Sequence, residues 1–229
     1  VAPSIVLFGI IIYGLTTWNS ITDVAEEDSI QVELYSKQFD WTARYTGKDG
    51  KFGLTNFNLV SNTNPLGIVT KKTIAEKLIE VESKLESLEV ELSTKYEQFS
   101  DSKISIFEGK IQNLILHRNR ILQINTSDDR LEWGKDDVLS KAEFHLPVDK
   151  TVEFLFRSRD VIHSAFMYDF RAQMNTVPGM TTRFKLKPVI TTSEMRNEVA
   201  NEEFNYKLTC NKICGAAHWN MTMDIIVET

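Results

Sequence analysis

The first residues of this 229-residue chain are almost all apolar. Positions 1–18 contain no charged side chain, and the run closes on Trp18. This length suits one helix across a bilayer, with an aromatic side chain at the interface. The basic start and small-residue cleavage site of a signal peptide are not visible. We predict a transmembrane helix over residues 1–22, with a buried helix of a soluble domain as the alternative.

Two other segments, residues 23–68 and 127–229, alternate between apolar and polar positions over short stretches. Glycine and proline residues that favour turns lie around these stretches. Alternation of this kind is typical of β-strands with one buried face, and many short strands favour a sandwich or barrel. We therefore predict that the two segments form one mainly β domain. The clearest alternating stretches are 32–34, 152–156, 184–187 and 223–227.

Residues 69–126 have a helical period instead. Apolar residues recur three and four positions apart in two runs, 78–99 and 104–121, with Glu and Lys between them. The break at 100–102, Ser-Asp-Ser, turns the chain and caps a new helix. The pattern predicts an inserted antiparallel helical hairpin with a heptad seam. Its off-seam apolar residues, which we expect to face outward toward a partner, are Ile115, Leu116, Leu122 and Ile124.

The formal net charge is −6, which argues against nucleic acid as a partner. An acidic surface attracts a basic partner, although it also serves solubility alone. Acidic residues follow the apolar helix at positions 23, 26, 27 and 28, and no Lys or Arg precedes Lys37. By the positive-inside rule, the domain after the helix lies on the outer side of the membrane.

The two cysteines of the chain lie close together near its end, at Cys210 and Cys214, followed by His218 and Met221. Two thiolates, an imidazole and a thioether form a soft ligand set that favours copper. A second imidazole, His163, follows a predicted strand. Two bridging thiolates would let each of two coppers take one imidazole, which suits electron transfer.

Three simpler interpretations stay open on spacing alone. The cysteines would form a disulfide in an oxidising compartment. With His163 and His218 they would complete a tetrahedral structural zinc site. They would also be compatible with an inert, buried pair. Met221 favours copper, because zinc has little use for a thioether.

Several motifs resemble subunit II of the haem-copper cytochrome c oxidases. The similarity covers residues 1 to about 65 and about 130 to 229, and leaves the hairpin as an insertion. The motifs are Gln38-Phe39-Asp40-Trp41, 143–150 (EFHLPVDK), 157–164 (RSRDVIHS), 177–179 (VPG) and 210–221 (CNKICGAAHWNM). The resemblance implies a cupredoxin-like Greek-key barrel. It also implies two membrane helices where one is seen, so we expect a longer precursor or a fragment.

The resemblance implies a dinuclear copper centre, CuA. Cys210 and Cys214 would bridge the coppers, and His163 and His218 would each bind one. Met221 would be the weak ligand of one copper and the backbone carbonyl of Lys212 that of the other.

Departures from the family pattern change two expectations. The family usually has Glu at position 212 and Asp at position 175, where this chain has Lys212 and Asn175. An ammonium cannot ligate Mg²⁺, so we predict no family-type magnesium site. Electrons are expected to enter through the aromatic strand, where the usual Trp is replaced by Phe39. Trp41 follows two residues later, and Asp160 is the acidic residue expected nearest this point.

The implied function is a subunit that accepts electrons from cytochrome c, or from a haem c domain, and passes them to haem in subunit I, where O2 is reduced to water. The expected partners are subunit I, other oxidase subunits and the membrane, most simply a bacterial inner membrane with the copper domain in the periplasm. Residues 70–124 would contact a respiratory supercomplex partner. The alternatives are a copper-free quinol-oxidase subunit, a copper chaperone and the CuA domain of a nitrous oxide reductase.

Overall fold

The computed structural model describes residues 2–24, 26 and 29–229. Glu27 and Asp28, which contribute to the predicted membrane orientation, lie outside the described residues. The chain divides into two compact units, of which the first comprises Val1–Tyr45 and Val138–Thr229 and the second comprises Thr46–Asp137. The second unit is wider than the predicted insertion at 69–126, because it also contains the loops that flank the hairpin.

The chain begins with helix α1, Ala2–Thr22, whose side chains are exposed along almost its whole length. Among the described residues, α1 is the helix that is long and apolar enough to cross a membrane. The hydroxyls of Thr16 and Thr17 donate to the carbonyl of Tyr13 at 2.8 and 2.9 Å. These bonds satisfy the two hydroxyl donors within the helix, as an apolar environment requires.

Within the described residues, ten strands form two five-stranded sheets. The first sheet has the order β3-β2-β1-β5-β8 and the second has the order β4-β10-β9-β6-β7. Two neighbouring pairs, β1 with β5 and β4 with β10, are parallel, and the other pairs are antiparallel. The strands are β1 Ile30–Lys37, β2 Asp40–Tyr45, β3 Val138–Ser140, β4 Glu143–Pro147, β5 Val152–Ser158, β6 His163–Met167, β7 Ala172–Thr176, β8 Thr182–Leu186, β9 Tyr206–Cys210 and β10 Thr222–Glu228.

The core of the first unit is formed by the alternate residues that the strand pattern predicts. Val32 and Leu34 of β1 are fully buried, as are Phe154 and Phe156 of β5. The ring of Phe184 lies 5.6 and 5.1 Å from the latter two rings. The predicted mainly β fold with an N-terminal helix and an inserted helical hairpin is confirmed.

One polar position of β1 departs from simple alternation. Glu33 is only 3% exposed, and its two carboxylate oxygens accept from Arg44 at 2.9 Å and from Arg157 at 2.8 Å. A carboxylate this deeply buried needs such partners, because losing them would leave an uncompensated charge. The predicted solvent-facing glutamate is therefore part of a buried ion-pair network.

The second unit contains the predicted hairpin, with α2 at Lys71–Lys95 and α3 at Asp101–Leu122. Thr70 and Thr73 form a capping box at the start of α2, and Ser100 caps α3 as the sequence predicts. A short helix α4, Thr192–Glu198, lies in the first unit. The buried core of the second unit consists of Leu59, Val69, Ile74, Val81, Ile121 and Leu131.

The expected outward patch of the hairpin forms only in part. Leu116 and Leu122 are 52% and 62% exposed. Ile115 is half-buried, and Ile124 packs against the core of its own unit. The expectation that Ile124 faces outward is therefore wrong, because the chain beyond α3 turns back over that core.

Candidate metal centre

Two segments of the first unit carry the predicted ligands. His163 is the first residue of β6 and Cys210 is the last residue of β9. The loop 211–221 connects β9 to its antiparallel neighbour β10, and the Cys210 N–H donates to the Met221 carbonyl at 3.0 Å, closing the loop. The pairing of Ala165 with Cys210 brings β6 alongside this loop. Sheet register therefore unites residues that are far apart in sequence.

The side chains of these residues converge in the structure. The Sγ atoms of Cys210 and Cys214 are 3.8 Å apart. His163 Nδ1 lies 4.0 Å from the sulfur of Cys210, whereas His218 Nδ1 lies 3.6 Å from the sulfur of Cys214. The Met221 sulfur lies 3.9 Å from that of Cys214. Each thiol thus has its own neighbouring imidazole.

The geometry separates the interpretations that spacing left open. Both cysteines are free, and their sulfurs are far beyond the ~2.05 Å of a disulfide. Ligand atoms of His163, Cys210 and Cys214 lie within 4.8 Å of one another, as in a site that could hold a metal ion. With His218 and Met221 added, the donors exceed the four of a structural zinc site. Their softness suits copper.

Without a metal, the thiol of Cys214 is protonated at neutral pH, and burial extends this to higher pH. Its pKa is raised to about 11, first by burial and then by the neighbouring Cys210. A soft cation would displace the proton, because the thiolate is the form that ligates.

The imidazole of His163 is held from its other side. Its Nε2 lies 2.9 Å from Asp160 Oδ1, which leaves Nδ1 directed to the cysteines. Burial acts to raise the pKa of Asp160, but hydrogen bonds from the Gln38 N–H, from His163 and from the Val161 N–H outweigh it and lower the pKa. A carboxylate behind a ligating imidazole fixes its orientation and tautomer.

Trp41 forms part of the wall of the site. It is 1% exposed, its ring meets that of His163 edge-on at 6.3 Å, and its Nε1 donates to the Met221 carbonyl at 3.3 Å. Trp41 is therefore inside the protein, while Phe39 is half-buried and Asp160 is exposed. Of the residues expected where electrons enter, Phe39 and Asp160 reach the surface.

Two residues near the ligands were not singled out from the sequence. Trp219, next to His218, is 79% exposed, and Gln38 donates from its side chain to the carbonyl of Cys214. A tryptophan directly after a predicted ligand was a signal available in the sequence. The Gln38 contact had no such signal, because it depends on how β1 meets the loop.

The backbone carbonyl of Lys212 lies beside the cysteines. Its side chain carries an ammonium group and not the carboxylate that the family usually has at this position. Its carbonyl oxygen lies 3.2 Å from Cys210 Sγ, and the residue is exposed. The carbonyl is therefore near the sulfurs whatever side chain stands at this position. The expected lack of a family-type magnesium site stays a prediction.

The described structure is thus a two-sheet β domain that gathers two thiols, two imidazoles and a thioether into a cluster that could hold a metal ion. The chain is similar in sequence to cytochrome c oxidase subunit 2 from several bacteria. It is 27% identical over 216 residues to the alternative cytochrome c oxidase subunit 2 of Bradyrhizobium diazoefficiens, covering 94% of this chain and 52% of that protein. It is 35% identical over 95 residues to cytochrome c oxidase subunit 2 of Thermostichus vulcanus, covering 41% of this chain and 25% of that protein.

The chain thus spans about half the length of the Bradyrhizobium relative. No protein-family model matches it. Among solved structures it is similar to the periplasmic domain of subunit II of cytochrome oxidase (CoxB) of Bradyrhizobium japonicum, with 16% identity and a TM-score of 0.41, over 90% of this chain and 87% of that chain.

Proposed function

We propose that this chain is the electron-accepting subunit of a membrane-bound cytochrome c oxidase and that its cysteine and histidine cluster holds a dinuclear copper centre. The observation that carries the proposal is the pairing of each sulfur with a different imidazole, His163 with Cys210 and His218 with Cys214, across a 3.8 Å separation of the sulfurs. Homology to cytochrome c oxidase subunit 2 supports it.

In this proposal, the bound copper pair supplies one-electron transfer between a cytochrome c donor and the haem of the oxidase. The chain itself holds the metal through Cys210, Cys214, His163 and His218, with the Met221 sulfur and the Lys212 carbonyl as weak ligands. Asp160 fixes the ring of His163, and Trp41 excludes water from behind it. Rigid strands on both sides of the loop keep these positions nearly constant.

The surface beside the ligands supports docking to other chains. Ile213, between the two cysteines, is 87% exposed, and Trp219 is 79% exposed. Large apolar side chains this exposed next to a metal cluster are typical of an interaction site. We assign this surface to contacts with subunit I and the electron donor.

Helix α1 serves as the membrane anchor in this proposal. Its length and apolar composition suit one span. The acidic residues that follow it, with no Lys or Arg before Lys37, favour an outward-facing copper domain. In a bacterium this is the periplasmic face of the inner membrane, and protease accessibility in spheroplasts compared with inverted vesicles tests it.

Copper loading of the full chain, with metal analysis and EPR, tests the central proposal. Two coppers per chain are expected, with the multiline hyperfine pattern of one electron shared equally by two copper nuclei. One zinc ion, or a single copper with an ordinary mononuclear spectrum, would overturn it. The same metal analysis on the assembled complex is expected to find no magnesium bound through Lys212 or Asn175.

A retained ligand set also distinguishes this proposal from a copper-free quinol-oxidase subunit. A protein without the metal has no need of two buried free thiols beside two imidazoles. Oxidation of cytochrome c by the assembled complex is expected, and oxidation of quinol alone would favour the alternative.

A further inference from the structure

The connection between β1 and β2 lies against the ligand loop. Lys37 pairs with Asp40 across these antiparallel strands, so Gln38 and Phe39 form the two-residue turn between them. A Cβ placed on Gly215 would lie 2.8 Å from the ring of Phe39 and 2.9 Å from Nε2 of Gln38. The turn and the loop are thus in direct contact one residue after Cys214.

Gln38 is bonded to both segments that carry ligands. Its backbone N–H donates to Asp160 Oδ2 at 2.7 Å, and the other oxygen of that carboxylate lies 2.9 Å from His163 Nε2. Its side-chain amide donates to the carbonyl of Cys214. One residue therefore connects the segment before β6 with the loop after β9.

These two bonds act on different ligands. The bond to Asp160 fixes the carboxylate that orients His163, and the bond to the Cys214 carbonyl fixes the peptide plane that follows this cysteine. The next residue, Gly215, has a φ of 141°, in a region that L side chains rarely adopt, and its carbonyl accepts from the His218 N–H at 3.2 Å. The Gln38 side chain supplies a further donor from outside the loop.

We propose that Gln38 is a positioning residue that holds the two ligand-bearing segments in register, so that the metal meets a preformed site. This inference rests on the proposed function for the identity of the metal. The claim that Gln38 holds the two segments in place concerns the metal-free protein. The role needs an amide donor. Methionine has a similar length and no donor, and alanine removes the side chain altogether.

The test compares Gln38→Met and Gln38→Ala with the unmodified full chain. The control is Gln31→Met, on strand β1 away from the ligand loop, which removes a side-chain amide that donates to Glu153 at 2.9 Å. Hydrogen exchange is measured on the metal-free protein for the amides of 160–164 and 211–221. Both Gln38 variants are expected to exchange faster in the loop, and the control is not.

The metal-loaded form provides the second measurement. Loss of an outer-shell partner typically weakens metal binding roughly 10–100-fold. We expect both Gln38 variants to release copper to a chelator faster by about that factor and to change the hyperfine splitting. The Gln31 control keeps the unmodified values.

If Gln38→Met leaves the hydrogen exchange of the loop and the rate of copper release unchanged, the inference is overturned, even if Gln38→Ala is impaired. The side-chain amide would then not be what holds the loop. The same variant keeps the test decisive if Gln38→Ala fails to fold. A failure of the proposed function is separate, since it appears as a missing copper-pair signal in the unmodified chain. The exchange measurement remains valid in that case.

Discussion

Tyr45 and Val138 are directly opposite each other in the antiparallel pairing of β2 and β3, although the whole second unit lies between them in sequence. A connection between two such residues needs only a tight turn. The 46–137 segment thus enters and leaves the β domain at one point of one strand pair. This arrangement allows a clean deletion.

We predict that replacing residues 46–137 with an Asn-Gly turn leaves a folded β domain with unchanged copper spectra. The reason is that the ligands and the core of the first unit lie outside the removed segment. Association with a respiratory partner complex, which we assign to residues 70–124, is expected to weaken. Copper EPR and co-purification measure the two effects, and loss of the copper signal would show that the second unit is needed for the site.

Met221→Leu is expected to preserve the fold and alter the copper centre. Leu and Met have similar volumes, so the exchange costs less than about 1.5 kcal/mol in the free energy of unfolding. The thioether next to Cys214 is lost, which changes the reduction potential and the EPR parameters. Met223→Leu, at a position equally buried in β10, is the control and should keep both. Identical spectra for the two variants would exclude Met221 as a ligand.

Gly215→Ala should disturb the site more than Gly179→Ala. Both glycines have positive φ, so each substitution strains the backbone by about 1–2 kcal/mol. Only the new methyl at Gly215 would collide with Phe39 and Gln38, since nothing lies within 4 Å of Gly179. Thermal unfolding and copper retention measure the difference. Equal effects of the two variants would mean that the turn formed by Gln38 and Phe39 moves to make room for the methyl group without disturbing the site.

Phe39→Leu is expected to slow electron acceptance from reduced cytochrome c several-fold while leaving the copper spectrum unchanged. Phe39 is half-buried against the ligand loop, so its ring links the surface to the region of Cys214. Stopped-flow reduction of the oxidised complex measures the rate. Trp219→Leu provides the comparison, and a larger loss of rate there would move the point where electrons enter to that exposed ring.

Ile121→Ala should lower the free energy of unfolding of the second unit by about 2–5 kcal/mol. Ile121 is 1% exposed, so loss of its side chain leaves a cavity. Its neighbour Leu122 is 62% exposed, and Leu122→Ala should change the free energy of unfolding by no more than about 0.5 kcal/mol. Urea unfolding of the two variants measures the contrast. Similar values would mean that the hairpin is not packed as described.

The sequence by itself determined the elements and the kind of chemistry. Periods of two and of three to four residues are local properties, so they marked the strands and the hairpin, and the Ser-Asp-Ser break marked the cap at Ser100. The ligand types in 210–221 lie within one loop, so their softness was visible without a fold.

Only the tertiary structure decided which residues support that site. His163 meets Cys210 because β6 pairs with β9, and Gln38 meets Cys214 because the turn after β1 reaches the loop. Trp41 and Glu33 occupy alternating positions whose burial depends on what covers each face of the sheet. Such contacts join residues that are distant in sequence, so the local spacing of apolar residues does not indicate them.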